Sequence, residues 1–168
     1  QGWMREAGID YPLVKGGYKA LRRFLIDWLE AEVPRLPLVV VAGRTGTGKT
    51  RLLNALPNPV DLEHLARHRG SSFGRTLQAQ PTQIDFENAL AIAFIKARHR
   101  HPEQPVVLED EGRLVGRCAL PQPLKARMSQ APVLVLERPI EERIEVILAD
   151  YVTGMRSACE EKWGPQAG

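Results

Sequence analysis

At 168 residues, the chain is long enough to bury roughly 70% of its extended surface in one globular domain, so it needs no disulfide or structural metal for a core. A hydrophobic content of 43% with 26% charged residues is typical of a globular protein, and no apolar stretch is long enough to span a bilayer. The net charge of +3 is too small to predict a polyanionic partner by itself. The two cysteines, Cys118 and Cys159, match no metal-ligand or redox spacing, which predicts free thiols in a reducing cytoplasm.

The segment before the first long apolar run is predicted to contain a helix end, a short strand and a full helix. Residues 1–9 have the composition of a helix that stops at Gly8. They do not begin with Met, and we expect a fragment of a longer protein. Residues 11–14 are predicted as a strand. Residues 18–32 repeat apolar side chains with the helical period, and the stripe comprises Leu21, Phe24, Leu25, Trp28 and Leu29.

A phosphate-binding motif follows the apolar run at residues 38–42. Residues 43–50, GRTGTGKT, match the P-loop pattern G-x-x-x-x-G-K-[ST] at every position. Glycines let several backbone N–H groups point at phosphate oxygens, and the positive end of the next helix adds to the field. Lys49 is expected to reach the outer phosphate oxygens and the Thr50 hydroxyl to ligate Mg²⁺. The residues expected to hold the phosphates are Gly43, Thr45, Gly46, Thr47, Gly48, Lys49 and Thr50.

A basic segment follows a predicted short strand over residues 60–62. Between His64 and Ile84 the chain contains no acidic residue, which is typical of a surface that meets phosphate-rich partners. Glycines, serines, arginines and one aromatic ring suit RNA binding, with Phe73 stacking on a base; the alternative is a loop that tucks Phe73 into the core. The candidate tRNA-binding residues are Arg67, His68, Arg69, Gly70, Ser71, Ser72, Phe73 and Arg75.

A long helix and an acidic strand end are predicted next. Residues 82–100 form the helix, with Asp85 as its cap. Residues 105–109 form an apolar strand that runs into Glu109, Asp110 and Glu111. An acidic strand end beside a P-loop is typical of the Walker B arrangement, so Mg²⁺ is assigned to Thr50 with Glu109 or Asp110. The alternative is that these acids only meet solvent.

The last predicted elements are a strand over residues 132–137 and a helix over residues 139–151. Arg138 and Arg143 lie where the helix begins, and either can reach a phosphate at the carboxyl end of the strand or pair with a neighbouring glutamate. The fold class is therefore predicted as α/β, with a P-loop NTPase-like parallel sheet and helices on both faces. Its four strands begin at Leu38, Val60, Val106 and Val133.

These pieces together resemble a known family. Residues 2–20 are similar to the last helix, strand and turn of a rhodanese-like domain. The P-loop, the HRGSSFG segment at residues 68–74 and the LEDE segment at residues 108–111 complete a combination that resembles the bacterial tRNA 2-selenouridine synthases. We therefore divide the chain into a rhodanese-like remnant with a connecting helix at 1–33, a P-loop domain at 34–156 and a frayed tail at 157–168.

The resemblance implies a tRNA-modifying transferase that acts in the cytoplasm. Members of this family replace the sulfur of wobble 2-thiouridine with selenium from selenophosphate, through an S-geranyl intermediate made from geranyl diphosphate. It implies that the anticodon arm of tRNA and the rhodanese-like half of the same protein are partners. It also implies Mg²⁺ and either geranyl diphosphate or ATP or GTP at the P-loop, with Lys49, Glu109 and Asp110 as catalytic residues.

The chain departs from the family pattern in lacking the rhodanese loop that carries the catalytic cysteine. Selenium transfer is therefore not expected of these residues alone. Two other functions use the same motif. One is a small-molecule or nucleoside kinase with Asp61 as the base, and the other is a nucleotide-dependent switch that positions tRNA.

Overall fold

A computed structural model of the chain describes residues 2–10, 12–68, 78–149 and 164. Its helices are α1 (Gly2–Glu6), α2 (Gly17–Glu32), α3 (Lys49–Ala55), α4 (Leu62–Ala66), α5 (Gln83–Arg100), α6 (Gln122–Met128) and α7 (Ile140–Ile147). A single 3₁₀ turn, Val33–Arg35, follows α2. The strands are β1 (Leu38–Gly43), β2 (Val106–Glu109), β3 (Leu114–Val115), β4 (Cys118–Ala119) and β5 (Val133–Leu136).

The central sheet has the order β2-β1-β5, and all its strands are parallel. Leu38 pairs with Val106, and Val40 pairs with Val133. Parallel neighbours bring their carboxyl ends to one edge, so the loops after β1, β2 and β5 meet there. The predicted α/β class, with a parallel sheet and helices on both faces, is confirmed.

The prediction of a fourth strand over residues 60–62 was wrong. Pro59 forms one isolated parallel bridge with Val107 beside β2. The chain then turns into α4, because the Asp61 carboxylate accepts a hydrogen bond from the backbone N–H of His64 and caps the helix. Residues 60–62 therefore lead into the start of α4 and do not form a strand.

Helices cover both faces of the sheet. Val40 and Leu108 point to one face and join the main core, which also contains residues of α2, α5 and α6. Val41 and Val107 point to the other face and pack with Leu53 of α3. This alternation along each strand is the period of two that places successive side chains on opposite faces.

Helix α2 packs on α5 and belongs to the main core. The rings of Trp28 and Phe94 stack with their centroids 6.5 Å apart, and Arg22 pairs with Glu87 and donates to Asn88. Of the predicted stripe, Leu25 and Leu29 are buried, but Phe24 is 54% exposed and Leu21 is also exposed. The division at residue 33 thus remains a prediction, while the helix before it packs against the P-loop domain.

Two further expectations differ from the structure, and a third concerns residues outside its described part. Residues 12–14 lie in no strand, and residue 11 lies outside the described residues. The cap of α5 is Thr82, not Asp85: the Thr82 hydroxyl accepts from the Asp85 N–H and donates to its carboxylate. The expected end of the last helix, at residue 151, lies outside the described part of the chain, as does all of the expected tail except residue 164.

Strand β5 is an edge of the described sheet and presents an apolar surface. Val133, Leu134 and Val135 are each about half exposed, although a parallel strand of this composition is normally buried on both faces. None of the helices in the described part of the chain is both long and apolar enough to cross a membrane.

Candidate functional site

Residues 43–50 form a tight loop between β1 and α3. Lys49, the first residue of α3, donates from Nζ to the Gly43 carbonyl oxygen over 2.8 Å, which brings the ammonium group back over the loop. Thr47 is buried, and its hydroxyl donates to the Arg44 carbonyl oxygen over 2.8 Å. The side chains of Lys49 and Thr47 therefore hold the loop in a tight turn by donating to its own carbonyl oxygens.

Gly46 is a loop position that admits no side chain. Its φ is +83°, and a Cβ there would lie 2.5 Å from the backbone oxygen of Arg143 in α7. The substitution Gly46→Ala is expected to lower the melting temperature by several degrees, because strain and a backbone clash together cost at least about 2 kcal/mol. Differential scanning calorimetry measures this.

The matched control is Gly112→Ala, where a Cβ would meet nothing within 4 Å. It is expected to leave the melting temperature within about 1 °C of wild type. Equal effects of the two substitutions would contradict the close packing of the loop against α7.

Two arginines that follow β5 flank the loop: Arg138 lies in the connection to α7, and Arg143 lies in α7 itself. Arg143 donates from Nε to the Thr45 carbonyl oxygen over 3.0 Å. A guanidinium nitrogen of Arg138 lies 3.8 Å from the position of a Cβ on Gly48, and the same side chain forms an exposed ion pair with Glu142 at 3.7 Å. Both sequence alternatives for Arg138, a phosphate neighbour and a glutamate pair, are thus compatible with its position.

A cleft of about 550 Å³ opens beside the loop. It joins the backbone of the P-loop to the apolar end of β5 and to three guanidinium groups. The lining residues are Gly43, Arg44, Thr47, Val135, Leu136, Glu137, Arg138, Pro139 and Arg143. The cleft therefore combines a positively charged end with an apolar wall.

Three carboxylates lie close together near Lys49. We call Glu63, Glu109 and Glu111 the carboxylate cluster. Each offers an oxygen within 4.8 Å of the other two. Glu109 ends β2, Glu111 follows it, and Glu63 comes from α4. Glu109 and Glu111 are 2% and 7% exposed, whereas Asp110 points to solvent because side chains alternate along an extended chain.

Burial dominates the electrostatics of this cluster. It raises the pKa of Glu109 to about 7, with the charge of Glu63 adding to the effect, and a hydrogen bond from Thr50 opposes the shift. Burial and the charges of Glu63 and Glu109 raise the pKa of Glu111 to about 8. The charge of Lys49 lowers both values. Buried carboxylates with raised pKa values are typical of a functional site.

The structure brings part of the predicted site together. Lys49, Thr50 and Glu109 are neighbours, but Asp110 is not a member of the carboxylate cluster. The sequence analysis did not predict a role for Glu63. The only signal for it was its position in the first turn of a helix capped by Asp61. The base that a kinase would need, Asp61, has its Oδ1 engaged by the N–H of His64 at 2.8 Å.

Most of the basic segment lies outside the described residues. Of the candidate tRNA-binding positions, only Arg67 and His68 are described, and Arg67 is exposed. Gln80, which sequence reasoning also missed, anchors the chain after the segment. Its amide nitrogen donates to the carbonyl oxygens of Ala66 and Val115 at 3.0 Å each, and its amide oxygen accepts from the N–H of Arg117. No sequence pattern predicted these long-range bonds.

Comparisons with known proteins agree on one family. Residues 36–168 match the family model described as the tRNA 2-selenouridine synthase AAA domain. A tRNA 2-selenouridine synthase of Marinobacter nauticus is 62% identical over the whole chain, which covers 46% of that relative. Those of Pseudomonas aeruginosa and Hahella chejuensis are 53% and 50% identical, with 46% and 44% of their lengths covered.

The chain thus spans a little less than half the length of the curated relatives it matches. No solved structure matches it. The family model and the relatives cover the P-loop, both flanking arginines and the whole carboxylate cluster. The chain belongs to the tRNA 2-selenouridine synthase family.

Proposed function

We propose that this chain is the part of a tRNA 2-selenouridine synthase that binds a diphosphate at its P-loop and tRNA at its basic segment. The diphosphate we favour is geranyl diphosphate rather than a nucleotide. In this proposal the whole enzyme converts wobble 2-thiouridine to 2-selenouridine through an S-geranyl intermediate, and the selenium chemistry belongs to the rhodanese-like half.

The cleft beside the P-loop is the observation that carries this proposal. Its apolar wall, formed by Val135 and Leu136, begins where the phosphate-binding backbone ends. A prenyl diphosphate has the same division into a charged head and an apolar tail. The described residues that line the cleft include no aromatic ring on which a nucleotide base could stack. The half-exposed Val133 and Leu134 extend the apolar surface along β5, and covering such surface is favourable by about 25 cal/mol per Å².

The proposed reaction is a displacement at C1 of the geranyl chain. The thiouridine sulfur forms the S–C bond while the C–O bond to the diphosphate breaks. The diphosphate leaves with the electron pair, and the thiouridine loses its N3 proton to solvent. The loop N–H groups and the Lys49 ammonium stabilise the negative charge that develops on the leaving oxygen. Arg138 and Arg143 stand at the cleft, where guanidinium groups can contact further phosphate oxygens.

The residues beside the loop fit a magnesium ion. Glu109 is buried, and its Oε1 has no hydrogen-bond partner among the described residues. The Thr50 hydroxyl lies within hydrogen-bonding distance of the same carboxylate. Hard oxygen ligands of this kind are those that Mg²⁺ prefers. Thr50 and Glu109 would hold the ion, which when bound neutralises charge on the diphosphate.

Isothermal titration calorimetry of the chain tests the proposal. Geranyl diphosphate with Mg²⁺ is expected to bind at least about tenfold more tightly than ATP or GTP, because only the prenyl chain buries the apolar wall. Inorganic diphosphate serves as the control for the head group alone. Tight nucleotide binding without binding of geranyl diphosphate would refute our choice of ligand and favour a kinase or a nucleotide-dependent switch.

The basic segment supplies a separate prediction. Replacing Arg69 and Arg75 with Ala is expected to weaken tRNA binding and to reduce the slope of log K against log salt by about 1.5, because each lost phosphate contact removes about 0.7 to 0.9. Diphosphate binding should be unchanged. Filter binding of tRNA at several salt concentrations measures the slope.

A matched double variant controls for net charge. Arg23 and Arg35 are exposed arginines of α2 and the turn after it, and their replacement with Ala removes the same charge. We expect tRNA binding to change little. If the variant at Arg69 and Arg75 lost diphosphate binding but kept tRNA binding, the basic segment would belong to the phosphate site.

A further inference from the structure

We propose that Glu63, Glu109 and Glu111 together bind one divalent cation, and that they bind it before any phosphate arrives. This deepens the proposed function, since it names the carboxylates that hold the cation beside the P-loop, but it is tested without a phosphate ligand. Glu63 and Glu111 become cation ligands, and Asp110 is excluded from that role.

The geometry of the carboxylate cluster is that of a cation site. One oxygen from each side chain lies within 4.8 Å of the other two. Oxygens on opposite sides of Mg²⁺ are about 4.1 Å apart, and those on opposite sides of Ca²⁺ about 4.8 Å, given their usual ligand distances. Three oxygens at these separations can therefore contact one ion with small side-chain movements.

An unpartnered oxygen points to the same conclusion independently of these distances. Glu109 is 98% buried, since only 2% of its surface is exposed. Its Oε1 has no hydrogen-bond partner among the described residues. Buried carboxylate oxygens are almost always hydrogen-bonded or bound to a metal, because removing them from water without compensation is costly. A cation within the cluster supplies the missing partner.

The charges near the cluster also favour a cation. Asp61 adds a fourth carboxylate that acts on Glu109, and Lys49 is the positively charged group that opposes them. One divalent ion together with Lys49 would balance the three carboxylates of the cluster. The three ligands come from two separated segments, since Glu63 lies in α4 and the others lie at the end of β2. The ion would thus tie α4 to the sheet edge that carries the P-loop.

The test is a titration of the metal-free chain with Mn²⁺ in the absence of phosphate. Electron paramagnetic resonance of the free ion measures how much Mn²⁺ is bound. We expect one bound Mn²⁺ per chain. Glu63→Gln is expected to weaken binding at least about tenfold, because it removes one charged ligand while keeping the shape of the side chain. The control Glu103→Gln makes the same change at an exposed site and should leave binding unchanged.

Two further variants complete the test. Glu111→Gln should weaken Mn²⁺ binding as Glu63→Gln does. If Glu63→Gln does not fold, the Mn²⁺ affinity of Glu111→Gln tests the proposal instead. Asp110→Asn should bind Mn²⁺ like wild type. Wild-type affinity in Glu63→Gln, or Mn²⁺ binding that begins only after diphosphate is added, would overturn the proposal. Because geranyl diphosphate is titrated separately, failure of the choice of ligand and failure of the cation site give different results.

Discussion

Lys49→Ala is expected to weaken binding of geranyl diphosphate on the order of a hundredfold. The Lys49 ammonium lies over the loop, held by a 2.8 Å hydrogen bond to the Gly43 carbonyl oxygen. In that position it can turn to a phosphate without moving the backbone. A hydrogen bond between charged groups contributes about 1.5 to 3 kcal/mol, which is roughly one to two factors of ten in affinity. Calorimetric titration of the variant measures the loss.

The control is Lys19→Ala, which removes the same charge from an exposed position in the first turn of α2. It should change the affinity less than twofold, because salt screens the charge of an exposed side chain that does not contact the ligand. The melting temperature of Lys49→Ala should stay close to that of wild type, so that the loss is one of binding. Unchanged affinity in Lys49→Ala would show that the diphosphate does not bind at the P-loop.

The sequence predicted the phosphate loop and its sheet because both depend on local patterns. A glycine-rich motif after an apolar strand requires a tight turn, and Gly46 has the positive φ that such a turn needs. The apolar runs that became β1, β2 and β5 were recognisable from their composition, and those of β1 and β2 are largely buried, as parallel strands normally are. The cap of α5 was predicted wrongly as Asp85, although Thr followed three residues later by an acid is a helix-start signal that pointed to Thr82.

The carboxylate cluster could not be predicted in the same way. Glu63 and Glu109 are 46 residues apart in the numbering, and they meet only because Pro59 bridges to Val107 and carries α4 to the edge of β2. The three consecutive acids that begin at the last residue of β2 gave no local reason to choose among them. Burial made the choice: Glu109 and Glu111 face the protein interior and Asp110 faces solvent. Tertiary contacts between distant residues produce no periodic pattern that a single sequence would reveal.

The stability of the metal-free protein is expected to fall as the pH rises from about 5 to 8. The pKa of Glu111 is about 8 in the folded protein, against an ordinary value of 4.5, because the side chain is buried beside Glu63 and Glu109. Glu109 is raised to about 7 for similar reasons. Between the ordinary pKa of 4.5 and these raised values, the folded protein keeps protons that the unfolded chain has lost. The free energy of unfolding therefore decreases as the pH rises through this range. Below about pH 4.5 these carboxyl groups are protonated in both the folded and the unfolded protein, so their stabilising contribution to folding is fully present.

Glu111→Gln should remove much of this dependence, because its amide stays neutral at every pH. In EDTA at pH 8 the variant is expected to melt on the order of 5 °C above wild type, whereas at pH 5 the two should nearly coincide. Thermal melts by circular dichroism at both pH values measure the difference, with Glu103→Gln as the exposed control. A Glu111→Gln variant that melts below wild type at pH 8 would mean that the Glu111 carboxylate stabilises the fold in its charged form. It would contradict the electrostatics inferred for the carboxylate cluster.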